Sequence, residues 1–277
     1  MSPVGITLVL SGGGAKSAAH IGATLALTEA GLAPVRYVAT SMGAVIAVAL
    51  AAGLDPEALL ARLVELGRAG VVKDPLAIMS GLFARSLLRA RPFREAIGRL
   101  VPARRFTELA VPVTVTVTHL DTGELLLFGD GGEDAPLLDV LCASCALPVY
   151  YPPVRLGERR CGDGGLRGPL PLDVAARFAR ETVVAVDVGP GFDVEEPGAS
   201  GGAPPMVRAH DDAIGALMAQ ATAAQLALWR SDAARPPLVY IRPKVERAAT
   251  FRVDRVRQYA SDGYMAARGA LAGATRP

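Results

Sequence analysis

Near its start the chain contains the stretch ITLVLSGGGAKSAAHIGATLALTEAG (residues 6–31), in which a glycine run separates two hydrophobic patterns. Residues 6–10 predict a buried strand, whereas residues 15–30 carry apolar side chains at helical spacing and stop at Gly31. The glycines therefore lie at a helix N-terminus, where unpaired backbone N–H groups and the helix dipole favour an anion. A phosphate and the oxyanion of an attacked ester both fit such a site.

Two phosphate-binding motifs do not match this glycine run, because residues that they require are absent. A P-loop ends in Gly-Lys-Ser/Thr, and although Lys16 and Ser17 are present, Ala15 stands at the glycine position. The dinucleotide-binding fingerprint needs its third glycine at position 17. It also needs an acidic residue at the end of the second strand, where residues 38–40 read Val-Ala-Thr. The glycine run is therefore interpreted as an oxyanion hole.

A second strand-to-helix turn has the sequence ATSMG (residues 39–43), between a predicted strand and an apolar helix. Ser41 would stand at a sharp elbow, which lifts a nucleophile out of the sheet and requires very small residues two positions to either side. Ala39 and Gly43 occupy those positions, and the alanine departs from the usual glycine. Small residues also occur wherever a helix packs on a strand, so a structural role for this turn remains open.

A third motif, CGDGG (residues 161–165), follows a predicted hairpin that turns at Gly157. An activated serine needs a base within hydrogen-bond reach, and Asp163 is a candidate for it. An ordinary Asp-Gly turn is the alternative.

Together these motifs resemble those of the patatin-like phospholipase family. The family's motif G-G-G-x-K/R-x-x-x-H-x-G is matched by residues 12–22, its G-T-S-x-G by residues 39–43 and its Asp-Gly-Gly/Ala by residues 163–165. Ser17 and Ala39 depart from the pattern. Further similarity lies at residues 120–123, 143–148 and 152–154. The resemblance thus runs in order from about residue 5 to residue 190.

The resemblance implies a lipid acyl hydrolase with a Ser-Asp dyad and no catalytic histidine. On this sequence Ser41 would be the nucleophile and Asp163 the base, and the apolar surroundings of the carboxylate would have to raise its pKa. The oxyanion hole would be formed by the N–H groups of Gly12, Gly13 and Gly14. Supporting roles would fall to Lys16, His20, Gly43, Gly164 and Gly165.

The histidine content tests the dyad independently, because the chain has only three histidines. His119 follows a strand and is expected to have a local partner there, whereas His210 is the best candidate for an ordinary triad. His20 lies on the same helix face as Lys16 and is expected to brace the glycine loop. With a dyad we expect no essential group titrating near the free histidine pKa of about 6.5.

The remaining sequence alternates between helical and strand patterns. This alternation predicts an α/β fold of three layers, α/β/α, with a largely parallel sheet and both catalytic turns at the C-terminal ends of strands. The predicted helices cover residues 56–68, 136–146, 172–180, 206–231 and 254–272, and the predicted strands cover 111–118, 123–129, 182–188 and 237–241.

We expect one domain over residues 1–277. Residues 71–101 form a basic amphipathic stretch, which indicates either a cap that contacts anionic lipid head groups or a packed helical layer with a solvated arginine face. Residues 189–205 are rich in glycine and proline and predict a mobile loop.

Composition excludes several classes of protein. A net charge of +2 gives no case for nucleic acid. Without a basic n-region or an apolar run near 20 residues, neither a signal peptide nor a membrane span is expected, and a cytoplasmic location follows. Cys142 and Cys145 lie on a predicted helix without a nearby histidine, so they are interpreted as small core residues. No metal or cofactor is expected.

The sequence therefore predicts a serine hydrolase acting on carboxyl esters of lipids, either a phospholipid or lysophospholipid acyl hydrolase or a general esterase. Its partners would be the ester substrate and a peripheral membrane surface. Two other classes stay open. An acyltransferase would use the same nucleophile, and a catalytically decayed lipid-binding regulatory protein would explain the departures at Ser17 and Ala39.

Overall fold

The computed structural model describes residues 2–68, 86, 88–191, 205–246 and 252–274. Its strands are β1 (Val4–Leu10), β2 (Leu32–Thr40), β3 (Val113–His119), β4 (Leu125–Gly129), β5 (Val154–Leu156), β6 (Arg159–Asp163), β7 (Val183–Val186) and β8 (Leu238–Ile241). Its helices are α1 (Ala18–Glu29), α2 (Met42–Ala51), α3 (Pro56–Arg68), α4 (Ala90–Leu100), α5 (Leu137–Ser144), α6 (Leu172–Phe178), α7 (Pro205–Ser231) and α8 (Val256–Ala274).

Within the described ranges the strands form one mixed sheet with the hydrogen-bonded path β5-β6-β3-β2-β1-β7-β8, and β4 pairs with β3. The strands β3, β2, β1, β7 and β8 run parallel, whereas β4 and β6 pair antiparallel with β3, and β5 with β6. The connections β3–β4 and β5–β6 are short hairpins, which cannot return a strand parallel to its neighbour. The predicted α/β fold is confirmed, with an antiparallel extension of its parallel core.

Helices cover both faces of the sheet. On one face, residues such as Leu8 and Val115 pack with Ile21 of α1 and Ile46 of α2 in the larger core, which also includes side chains of α5 and α8. The opposite face packs against α6 and α7 in a smaller core. Because both faces are covered, β7 is apolar and buried along its whole length, whereas β3 alternates valine with buried threonine.

The helices and strands predicted beyond residue 50 agree with the observed ones to within two residues at each end. Most of the predicted cap at 71–101 lies outside the described residues. Its described end, α4, buries Ile97 and Leu100 and pairs Arg94 with Asp139 of α5, as a packed layer would. The predicted mobile loop lies outside the described residues at 192–204.

Crossing a bilayer requires a long and mainly apolar helix, a condition that the described helices do not meet.

Glycines let α1 and α8 approach unusually closely. A Cβ atom on Gly22 would lie 1.7 Å from the Ala260 carbonyl oxygen, and one on Gly263 would lie 1.9 Å from the Ala19 carbonyl oxygen. The two backbones are therefore in direct contact, and neither helix has room for a methyl group at the crossing.

We expect Gly22→Ala to lower the free energy of unfolding by about 1–3 kcal/mol or more, because the methyl group would force the helices apart. Gly269→Ala on α8 is the matched control, since a Cβ there meets no atom within 4 Å. It should be neutral or stabilising by up to about 1 kcal/mol. Urea unfolding measures both, and equal effects would contradict the close helix contact.

Candidate active site

Ser41 stands between β2 and α2 in a strained backbone conformation, with φ 55° and ψ −134°. Such a conformation costs about 1–3 kcal/mol and persists only where surrounding contacts hold it. The Ser41 N–H donates to the Ser144 hydroxyl at 2.8 Å, and that hydroxyl donates to the Thr116 carbonyl oxygen at 2.8 Å. A Cβ on Gly43 would lie 2.4 Å from the Ser11 carbonyl oxygen, so this position in the first turn of α2 requires glycine.

The sequence departure at Ala39 is accommodated within the core. Ala39 is fully buried and belongs to the larger core, which also includes side chains of α2. A methyl group is therefore tolerated two positions before the serine, where the family pattern has glycine.

The pairing of β3 explains why Ser41 and Asp163 meet. β4 pairs with residues 114–118 of β3, β2 with residues 113–116 and β6 with residues 117–119. A strand has only two edges, so β4 occupies one edge, and β2 and β6 lie end to end along the other. Thr40 is then opposite Thr116 while Asp163 is opposite the next residue, Val117.

The two side chains are in direct contact. The Ser41 hydroxyl donates to Asp163 Oδ2 at 2.8 Å, and the Gly165 N–H donates to Oδ1 at 2.7 Å. The Thr118 hydroxyl donates to the Asp163 carbonyl oxygen at 2.8 Å. A Cβ on Gly164 would lie 2.4 Å from both the carbonyl and the hydroxyl oxygen of Thr116, so this turn needs glycine to fit against β3. Both carboxylate oxygens are thus fixed.

Burial sets the acidity of this carboxyl group. Asp163 is 5% exposed, and burial raises its pKa from 3.8 to about 6, against the opposing effect of the hydrogen bonds from Gly165 and Ser41. Burial thus acts on this pKa in the direction expected from the sequence. A carboxyl group with a pKa near 6 falls in the range of a free imidazole, so a pH profile by itself does not distinguish this carboxylate from a histidine.

The glycine loop runs beside the nucleophile, since a Cβ on Gly12 would lie 3.1 Å from Ser41 Cβ. The Gly12 N–H donates to the Pro169 carbonyl oxygen at 2.9 Å, so it is not the unpaired donor that the sequence predicted. In the described part of the chain, the N–H groups of Gly13 and Gly14 have no hydrogen-bond acceptor. Gly13 and Gly14 remain the predicted donors to an oxyanion. Gly12 instead lets the backbone of the loop lie close to Ser41.

The predicted supporting residues surround this loop. His20 Nε2 donates to the Ser11 carbonyl oxygen at 2.8 Å, which agrees with a bracing role. Burial lowers the His20 pKa to about 4, so the imidazole is neutral at physiological pH. Lys16 lies in the short 3₁₀ turn Gly14–Ser17 and is only 2% exposed.

The other two histidines have local partners. His119 Nδ1 lies 2.9 Å from the Thr122 hydroxyl, and His210 Nδ1 lies 3.2 Å from a carboxylate oxygen of its neighbour Asp211. Because the Ser41 hydroxyl donates directly to Asp163, no imidazole stands between them as it would in an ordinary triad.

The sequence patterns gave Ser144 and Thr116 no role in the site and placed Cys145 only in the core. Ser144 and Cys145 belong to the segment 143–148, whose resemblance to a family motif was the available signal. Cys145 is buried as expected, but its thiol also contacts the Ser41 hydroxyl, and burial holds its pKa well above the usual range. Among the described residues no cluster of three or more His, Cys, Asp or Glu side chains could hold a metal ion.

Known proteins share sequence and fold with this chain. A protein-family model described as patatin-like phospholipase matches residues 8–176 of this chain. A protein of Mycobacterium bovis (strain ATCC BAA-935 / AF2122/97), named an uncharacterized NTE family protein, is 32% identical over 196 residues, 69% of this chain and 52% of its own length. Patatin-like phospholipase domain-containing protein 6 of Homo sapiens is 31% identical over 190 residues, 66% of this chain and 13% of that protein.

The chain thus spans about half the length of the first of these relatives, and far less of the second. Among solved structures, VipD from Legionella pneumophila superimposes with a TM-score of 0.51 at 16% identity, covering 99% of this chain and 67% of that chain. At this level of identity the similarity concerns the fold alone.

The raised pKa of Asp163 predicts how stability depends on pH. Between pH 3.8 and about 6 the folded protein binds this proton more tightly than the unfolded chain does, so the free energy of unfolding falls as the pH rises through this window. The change corresponds to about 3 kcal/mol. We expect wild type to lose stability relative to Asp163→Asn over this range in urea unfolding. A stability difference that stays constant from pH 4 to pH 7 would contradict the shift.

Proposed function

Because the chain belongs to the patatin-like phospholipase family, we propose that it is a serine hydrolase that cleaves carboxyl esters of lipids. The observation that carries this proposal is the direct 2.8 Å hydrogen bond from the Ser41 hydroxyl, at a strained elbow, to the buried carboxylate of Asp163. An activated nucleophile requires a base at this distance.

The reaction follows from the positions of these groups. Asp163 takes the hydroxyl proton as the Ser41 oxygen attacks the ester carbonyl carbon, and the N–H groups of Gly13 and Gly14 stabilise the oxyanion that forms. The tetrahedral intermediate then collapses, and the departing alkoxide takes the proton from Asp163. Water next attacks the acyl-Ser41 ester with Asp163 again as base, which releases the carboxylic acid and restores the serine.

The raised pKa suits this double role. A carboxyl group with a pKa of about 6 is mostly ionised at neutral pH, so it can accept the serine proton, yet it is a stronger base than an exposed aspartate. It also returns the proton to the leaving group within the same cycle. The apolar burial of Asp163 therefore supplies what a histidine supplies in an ordinary triad.

The substrate class comes from the family. Phospholipids, lysophospholipids and simpler esters all present the carbonyl that Ser41 would attack, and no cofactor is required for this chemistry. An acyltransferase differs only in the acceptor that attacks the acyl-serine. The intact contact between Ser41 and Asp163 argues against a decayed, purely lipid-binding protein.

Ser41→Ala should abolish release of p-nitrophenol from acyl esters and of fatty acid from phospholipids, and it should also abolish fluorophosphonate labelling. Ser231→Ala, which removes an exposed hydroxyl at the end of α7, is the matched control and should leave all three unchanged. Labelling of a folded Ser41→Ala protein would exclude Ser41 as the nucleophile. Adding an alcohol acceptor and analysing the products separates hydrolysis from acyl transfer.

Asp163→Asn should lower kcat by several orders of magnitude, because an amide cannot accept the serine proton. His119→Gln and His210→Gln should keep most of the activity. In wild type, kcat/KM should fall as the pH drops through about 6, where the base becomes protonated. Since the pH profile alone does not separate a carboxylate from an imidazole here, the variants decide. A folded His210→Gln enzyme as inactive as Asp163→Asn would overturn the dyad.

A further inference from the structure

A second buried carboxylate, Asp187, lies directly after β7 and has no role in the chemistry above. It is 2% exposed. Its Oδ1 accepts the Gly189 N–H at 2.9 Å, and its Oδ2 accepts the Tyr240 hydroxyl at 2.8 Å and lies 3.1 Å from Arg242 Nη1. A charge buried this deeply persists only where such partners compensate its loss of hydration.

Arg242 holds the same turn through the backbone. Its Nη1 donates to the carbonyl oxygen of Asp187 at 3.2 Å and to that of Gly189 at 2.9 Å. The guanidinium group therefore contacts the first and the last residue of the turn 187–189. All three contacts come from Nη1, whose N–H groups are fixed in the guanidinium plane, whereas a lysine ammonium rotates freely and has no such fixed geometry.

The turn 187–189 packs directly against the glycine loop. The Val188 N–H donates to the Ser11 hydroxyl at 2.8 Å, and that hydroxyl donates to the Gly12 carbonyl oxygen at 3.1 Å. A Cβ on Gly13 would lie 2.6 Å from Val188 Cγ2 and 3.0 Å from the Val188 carbonyl oxygen. Any movement of Val188 would therefore be transmitted to Gly13, whose N–H group is a proposed oxyanion donor.

We propose that the Asp187–Arg242 ion pair is a positioning device for the oxyanion loop, which it holds through Val188. Neither residue touches the reacting atoms. The inference rests on the proposed function, because it assigns the pair a part in stabilising the same transition state. Oxyanion donors act only when they are held in place before the reaction, so a displaced loop should weaken transition-state binding more than substrate binding.

The central test is Arg242→Met, which keeps an unbranched, flexible side chain and removes the charge and the hydrogen-bond donors. We expect kcat on a p-nitrophenyl ester to fall by about 10-fold or more while KM changes little. A trifluoromethyl ketone, which Ser41 would attack to form a tetrahedral oxyanion, should lose affinity by the same factor as kcat/KM falls. Loss of folded protein alone would change neither the KM nor the ketone affinity of the molecules that remain folded.

Two further variants grade the effect and keep the test informative if Arg242→Met does not fold. Arg242→Lys retains the positive charge but not the planar donors, and Tyr240→Phe removes one hydrogen bond to Asp187. Both should lie between wild type and Arg242→Met. Arg252→Met is the matched control, because it breaks an exposed arginine pair with Asp254 and should leave kcat and ketone affinity unchanged.

The outcomes separate the two proposals. A wild-type protein that hydrolyses no ester would overturn the proposed function and this inference with it. An active wild type whose folded Arg242 and Tyr240 variants retain full kcat, or lose kcat without losing ketone affinity, would overturn the inference alone. Parallel losses in kcat/KM and ketone affinity, graded across the three variants, would support it.

Discussion

The edge of β3 that β2 and β6 share is the constraint on which the candidate site depends. β2 ends opposite Thr116, and β6 ends opposite the neighbouring Val117, so two strands from distant parts of the sequence bring their last residues together. Ser41 is the residue after β2, and Asp163 is the last residue of β6. The hydroxyl of Ser144 and the carbonyl of Thr116 then hold the strained serine in place.

The same arrangement explains the raised pKa of Asp163. Asp163 is enclosed at the meeting point of the strands, where burial raises its pKa to about 6, and its hydrogen bonds from Ser41 and Gly165 limit the rise. At neutral pH the folded protein therefore carries an ionised carboxylate at a buried position, and burial disfavours the charged form. Stability is lower than it would be with a neutral side chain there, and the basicity of the carboxylate is higher.

The glycine loop is held by contacts from other elements of the fold. His20 contacts the Ser11 carbonyl, and the turn after β7 contacts the Ser11 hydroxyl and the backbone of Gly13. Each support comes from a different element, so the loop is held by the tertiary structure and not by its own conformation. A rigid loop is what oxyanion stabilisation requires, because donors that reorganise during the reaction contribute much less.

The sequence by itself determined the α/β alternation, the elbow at Ser41 and the glycine turns, because hydrophobic periodicity and small residues are local signals. Only the tertiary structure decided that Ser41 contacts Asp163 directly and that the Gly12 N–H is already bonded to Pro169. It also decided that Ser144 accepts the Ser41 N–H and that Arg242 pairs with the buried Asp187. These contacts join residues far apart in sequence. The antiparallel pairing of β6 with β3, and with it the raised pKa of Asp163, depends on strand register and burial that no local pattern encodes.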